Sequence, residues 1–219
     1  MPGLFCRWGS YRQGRKDTSP NYVIKKGDGS TFDRKKPGCV ALHLIVMTPS
    51  NSLPTSFNIE PLDTAKHRRE DFDCGVLALN EFLKTRARKE MDSGVSVCFV
   101  LISDDRPQHI LGYYTLSAAS LLSEALPEVI RKKLPRYPAM PATLLGRLAR
   151  SLEGRGQRLG DRLMISALTR ARAGAEQVGS WAVITDPKDD RARRFYEAFG
   201  FKPLTADRLF LPMKDITAL

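Results

Sequence analysis

The stretch Leu145–Gly160 reads LGRLARSLEGRGQRLG. Its first part, Leu145–Ser151, has the apolar content of a strand. Its second part, Arg155-Gly156-Gln157-Arg158-Leu159-Gly160, is a glycine-bearing turn, and a helical pattern opens after it. Glycines let a backbone turn its N–H groups toward one point. Those groups, with the positive end of a helix dipole, form an anion site suited to a pyrophosphate. Arg155 and Arg158 add charge-assisted donors. The plain alternative is a β–α turn that happens to hold glycines, and a short glycine pattern alone does not decide. No Gly-Lys-Ser/Thr follows, so this is not a P-loop, and G-x-G-x-x-G is absent.

Regular elements must position that turn. Phe57–Pro61 reads as a short strand. Val76, Leu79, Phe82, Leu83 and Ala87 fall at helical spacing, which predicts an amphipathic helix from Gly75 to about Met91. Val95–Ser103 is a buried strand, and His109–Ala118 is its hairpin partner. Pro127–Leu134 is a short basic helix between prolines. Ala142–Ser151 is the strand that leads into the turn. The helix after the turn runs to about Gly174, with Leu159, Leu163, Met164, Ala167, Leu168 and Ala171 on its inner face. Trp181–Thr185 is a buried strand. Asp189–Phe199 is a helix stopped by Gly200. Leu209–Met213 is the last strand. Hairpin strands followed by alternating strands and helices make an α/β (mixed α+β) single domain.

The 219 residues, 42% of them hydrophobic, can bury one sizeable core. The densest apolar run, Val40–Met47, is eight residues and includes His43, far short of the roughly 20 needed to cross a bilayer. Arg7, Arg12, Arg15 and Lys16 interrupt any secretory h-region. Cys6, Cys39, Cys74 and Cys98 include no C-x-x-C pair, and His43, His67 and His109 are scattered, so neither a metal site nor a disulfide framework is expected. A reducing, cytoplasmic compartment follows. Net charge is +11, of which residues 1–56 supply +6. That segment is rich in Gly, Ser, Pro and Lys/Arg and lacks periodicity. It is read as a basic extension, disordered or mis-assigned, with Met47 as the natural start and 48–56 as a linker; the folded domain is 57–219. The surplus of positive charge suggests a polyanionic partner, and reads equally as a solvated basic tail on a mildly basic domain. Local clusters are Arg86, Arg88 and Lys89; Arg131, Lys132, Lys133 and Arg136; and Arg191, Arg193 and Arg194.

Over roughly Phe57–Thr217 the sequence resembles the GNAT-fold N-acetyltransferases, and within them the GNAT toxins of bacterial toxin–antitoxin modules. Their signature, Arg/Gln-x-x-Gly-x-Gly/Ala between a strand and a helix, aligns with Arg155–Gly160, with Arg158 in the place of the central Gly. Further pieces match in order. They are Phe72-Asp73-Cys74-Gly75; Leu83 and the basic helix end; Gly112-Tyr113-Tyr114-Thr115-Leu116; Pro141; Leu145-Gly146-Arg147-Leu148-Ala149; Arg194-Phe195-Tyr196-Glu197; Phe199-Gly200-Phe201; and Leu209–Lys214.

The resemblance implies a central mixed, mostly antiparallel sheet, splayed between two strands and flanked by helices. The splay lies between Leu145–Ser151 and Trp181–Thr185 and takes the pantetheine arm of acetyl-CoA. Leu148, Ala149 and Arg150 line the arm; Arg155, Gly156, Gln157, Arg158, Leu159 and Gly160 hold the pyrophosphate; Phe195 lies beside them. Tyr196 matches the family's general acid, which protonates the departing thiolate. On its residue type alone Tyr196 reads first as a core aromatic with its hydroxyl capped by backbone; the resemblance is what makes it the acid. Tyr113 and Tyr114 are rival donors, sent to opposite faces of a strand. No segment names a base; Glu197 and Asp189 are the candidates. An α-amine, with pKa near 7.7–8.0, needs a base less than a lysine does. The implied activity is acetylation of the α-amine of aminoacyl-tRNA by a translation-blocking toxin. Implied partners are a ribbon–helix–helix antitoxin and a second copy of the chain. Two other readings stand beside it. One is an N-acetyltransferase for a protein or small-molecule amine. The other is a non-catalytic nucleic-acid-binding protein with a degenerate cleft.

Overall fold

The computed structural model describes residues 56–216. The extension, the Met47 start and all but the last residue of the linker lie outside them. Seven strands form one sheet in the order β1-β2-β3-β4-β5-β7-β6. They are β1 (Phe57–Pro61), β2 (Val97–Ser103), β3 (Gly112–Leu122), β4 (Ala139–Arg150), β5 (Ala182–Thr185), β6 (Lys202–Pro203) and β7 (Leu209–Pro212). All pairs are antiparallel except β4 with β5.

The helix expected over Gly75–Met91 is observed as α1 (Leu77–Glu81) and α2 (Ala87–Asp92), joined without a break by a π turn, Phe82–Arg86. The sequence contains the reason. Leu79, Leu83, Ala87 and Met91 recur every fourth residue, a longer period than an α-helix supplies. The wider π turn restores the phase, so Phe82, Leu83 and Ala87 are all buried.

Short α3 is Glu128–Arg131, α4 is Leu159–Val178 and α5 is Asp190–Ala198. All six residues expected on the inner face of α4 are buried. The helix continues past Gly174, however, and stops at Gly179, which has φ +74. A solvent-facing glycine costs a helix about 1 kcal/mol but ends it only where the backbone turns left-handed. Strands β3 and β4 reach further than expected because each extends the other: Leu122 pairs with Ala139. The small residues Ala118, Ala119 and Ser120 had blurred the alternation that would have shown it. The two-residue β6 carried no sequence signal.

Residues paired across strands share a face. One face carries Leu101, Tyr114, Leu145, Val183, Leu209 and Leu211 against α4 and α5. The opposite face carries two separate clusters. Val100, Tyr113 and Ala149 pack under α1 and α2 with Phe72, Phe82 and Leu83. Leu121, Met140, Ala142, Ile184 and Phe210 pack under the α3 segment with Leu126 and Ile130. Each fully buried leucine contributes about 1.5–3 kcal/mol.

Candidate active site

Strands β4 and β5 pair only from Ala142/Ala182 to Leu144/Ile184, after which β4 runs on to Arg150 with no strand on that edge among the described residues. Every second backbone N–H and C=O along this stretch is therefore free for an extended ligand. The fork is stitched at its base: the Thr185 hydroxyl donates to the Leu145 carbonyl at 3.0 Å. Just past the last β4–β5 pair, β4 also slips its register against β3, with Gly146 the extra residue between the pairs Leu116↔Leu145 and Thr115↔Arg147.

A cleft of about 840 Å³ opens along the splay. Eight of the site candidates named from the sequence line it: Leu148, Ala149, Arg150, Arg155, Gly160, Asp189, Phe195 and Tyr196. At one end lies the start of α4. No side chain caps this helix, so its first N–H groups stay available, and the Gly160 Cα faces the Phe195 ring. Gly156 and Gln157 form the turn behind Arg155 but do not line the cleft. Leu159 is wholly buried in the core and offers only backbone.

Arg158 departs from its expected part. It adopts φ +53, the left-handed geometry for which the signature carries glycine, and its guanidinium turns outward to Asp161 at 2.8 Å. Its side chain is thus no phosphate donor in this arrangement. Arg158→Gly is expected to raise stability by about 0.5–1 kcal/mol, or roughly 1–4 °C in Tm, because a left-handed non-glycine residue is disfavoured while an exposed ion pair is worth little. Thermal melts with and without acetyl-CoA check this; a fall in Tm would show that the ion pair outweighs the backbone.

At the other end stands Tyr196, on α5 between Phe195 and Phe201, with 7% of its surface exposed. Burial raises its pKa above the ordinary phenol value, and the neighbouring Thr185 hydroxyl opposes the rise only in part. Tyr196 therefore stays protonated at neutral pH. The rival tyrosines are committed elsewhere. Tyr113 donates to the Leu79 carbonyl at 2.8 Å beneath α1, and Tyr114 stacks on Phe99 and bonds Ser166 at 2.9 Å. Burial pushes both phenols up.

Neither candidate base is arranged as one. Asp189 caps α5 by accepting from the Ala192 N–H at 2.7 Å and pairs with Lys188 at 2.7 Å. The Lys188 hydrogen bond, then that from Ala192, hold its carboxyl below the usual range, so it is a poor proton acceptor. Glu197 is exposed and does not line the cleft.

The rest of the lining was not assigned from the sequence. Cys74, Gly75, Val76 and Leu79 form one wall, and Lys188, Arg191 and Ala192 extend the other. The first wall is held by a small network. The Asp73 carboxylate accepts from the Gly75 N–H and the Asn80 amide at 2.8 Å each, while the Asn80 oxygen accepts from the Cys74 N–H at 3.0 Å. The Leu152 N–H then donates to the Asp73 carbonyl at 2.9 Å, tying the wall to the end of β4. Asp73-Cys74-Gly75 stood among the resembling pieces, and that was the available signal.

No family model matches the chain. A curated relative from Mycobacterium tuberculosis, "tRNA-acetylating toxin", is 33% identical over 150 residues, 68% of this chain and 87% of that one. A solved structure of AtaT complexed with acetyl-methionyl-tRNAfMet superposes with a TM-score of 0.69 at 31% identity, over 74% of this chain and 97% of the other. A second, of a mutant AtaT toxin bound to the C-terminus of the antitoxin AtaR and acetyl-CoA, gives 0.62 at 27% identity over 73% and 95%. With that degree of likeness over nearly the whole described domain, and with the splayed sheet present, the chain belongs to the GNAT-fold acetyltransferase toxins of toxin–antitoxin systems.

Proposed function

We propose that the chain moves the acetyl group of acetyl-CoA onto the α-amine of aminoacyl-tRNA, and that it acts in the cytoplasm. The observation that carries this reading is the cleft itself. An uncapped helix start with Arg155 lies at one end, a free strand edge runs along the middle, and a buried, protonated Tyr196 stands at the other.

The residues present fit acetyl-CoA. The α4 N-terminus and Arg155 would hold the pyrophosphate, and Leu148–Arg150 would pair with the extended arm. Acetyl-CoA supplies an activated thioester. A backbone N–H on β4 can stabilise charge developing on the carbonyl oxygen. Tyr196 holds its proton at Oη for the sulfur that leaves. The acceptor needs no side-chain base if it arrives as a neutral amine, which an α-amine does in part at neutral pH.

The pH dependence follows. The rate kcat/KM should rise through the amine's ionisation at about pH 7–8, then hold level to about pH 10, since the Tyr196 pKa lies above the ordinary phenol value. Glu197→Gln should leave the acid limb in place. Initial rates from pH 6 to 10 check both; loss of the limb in that variant would make Glu197 the base.

Incubation of the full chain with labelled acetyl-CoA and charged bulk tRNA, followed by mass analysis of the released aminoacyl groups, tests the substrate. N-acetylated amino acids are expected. Label on protein or polyamines alone would favour a different acceptor. The antitoxin-bound AtaT structure supports a cognate antitoxin as the partner; its ribbon–helix–helix type rests on the family resemblance.

A further inference from the structure

On the face of α1 and α2 the two apolar clusters do not meet. One ends at Ala149 on β4, and the other reaches only Leu144. Between them Gly146 is exposed, although β4 is the central strand of seven. The gap lies where β4 parts from β5, so the fork can be reached from the face opposite α4 and α5.

Beside the gap stands Arg147. Its guanidinium carbon lies 3.6 Å from the centre of the Phe82 ring, and its Nη1 lies 3.6 Å from Glu90 Oε2. Glu90 is shared: Oε1 is 3.2 Å from Arg86 Nη2, and Ser96 Oγ donates to Oε2 at 3.0 Å. Arg86 also lies over Phe82, at 6.0 Å. Arg86 follows Phe82 by four residues within the π turn, a spacing that puts both on one side of the helix. Two guanidinium groups thus share one carboxylate, leaving an excess positive charge. Arg147 meets no acceptor at hydrogen-bond distance among the described residues and keeps 28% of its side chain exposed. A guanidinium held over an aromatic ring, with its donors unspent, is organised in advance for phosphate.

We propose that Arg147 and Arg86, held around Phe82 by Glu90, grip the phosphate backbone at the 3′ end of the charged tRNA as it enters the fork from this face. This rests on the aminoacyl-tRNA reading. It adds the entry side and the two side chains that make the acceptor a nucleic acid rather than a bare amine.

The test compares charged tRNA with an aminoacyl methyl ester, which has the same α-amine and no phosphate, using the full chain. In Arg147→Gln and in Arg86→Gln, kcat/KM for charged tRNA should fall at least about tenfold further than for the ester. The affinity for acetyl-CoA should move by less than about twofold. The salt slope of tRNA binding should shrink by about 0.7 per arginine removed. Equal losses on both acceptors, or none, overturn the proposal, because a merely structural arginine does not distinguish them. Arg86 is 65% exposed, so Arg86→Gln carries the test alone if Arg147→Gln does not fold. Wild-type chain that acetylates the ester but never charged tRNA refutes the underlying reading, and this inference with it.

Discussion

Tyr196→Phe is expected to lower the acetyl-transfer rate by about 10²–10⁴-fold. Acetyl-CoA affinity should stay within about twofold, since only a proton donor is removed. The ring remains to pack against Phe195 and Phe201, so the core is kept. The lost hydroxyl interaction with Thr185 costs about 0.5–1.5 kcal/mol of stability. Neither Tyr113 nor Tyr114 can replace it, because they spend their hydroxyls on Leu79 and Ser166. Expression of the wild-type chain should arrest growth, and the variant should relieve the arrest. Single-turnover rates together with calorimetric titration of acetyl-CoA decide the matter. An unchanged rate retires Tyr196 as the acid.

Gly160→Glu should weaken acetyl-CoA binding on the order of a hundredfold or more, the equivalent of losing about two charge-assisted hydrogen bonds. Gly160 lines the cleft in the first turn of α4, where an anionic ligand would meet the helix N-terminus. A carboxylate there occupies the place meant for phosphate and repels it. It should not harm the fold, because glutamate is a better helix former than glycine and suits an N-terminal turn. The pairing of lost affinity with an unchanged or raised Tm is the signature. Retained affinity would mean that the cofactor's phosphates lie elsewhere, and the assignment of Arg155 would fall too.

Much of this architecture is legible in one chain because its strongest signals are local. The period of Leu159, Leu163, Met164, Ala167, Leu168 and Ala171 alone defines the buried face of α4. The strand–turn–helix of residues 145–160 can be read directly, as can α5 with its Asp189 cap and Gly200 stop. Long-range relations cannot be read this way. Nothing near Cys74 or Leu79 says that they will face Lys188 and Arg191 across a cleft, because that depends on how α1 docks on the sheet. The direction of Arg158 was equally hidden: only the observed left-handed backbone explains why a bulky side chain stands where glycine is usual. The four-residue spacing through α1 and α2 was visible, but it becomes a π turn only once Phe82 and Leu83 have a core to reach.

The extra residue at Gly146 also acts as a splice between two frames of one strand. If pairing ran on without the skip, alternation would invert for everything that follows. Arg147 would be driven toward the oily layer beneath α4, and Leu148 would be forced into the small buried place that Ala149 fills beside Tyr113. Deleting Gly146 would instead close the skip, leaving Arg147 opposite Thr115 and every later side chain on its present face; only forcing Gly146 into the ladder at full length would turn the ligand-facing half of the strand inside out.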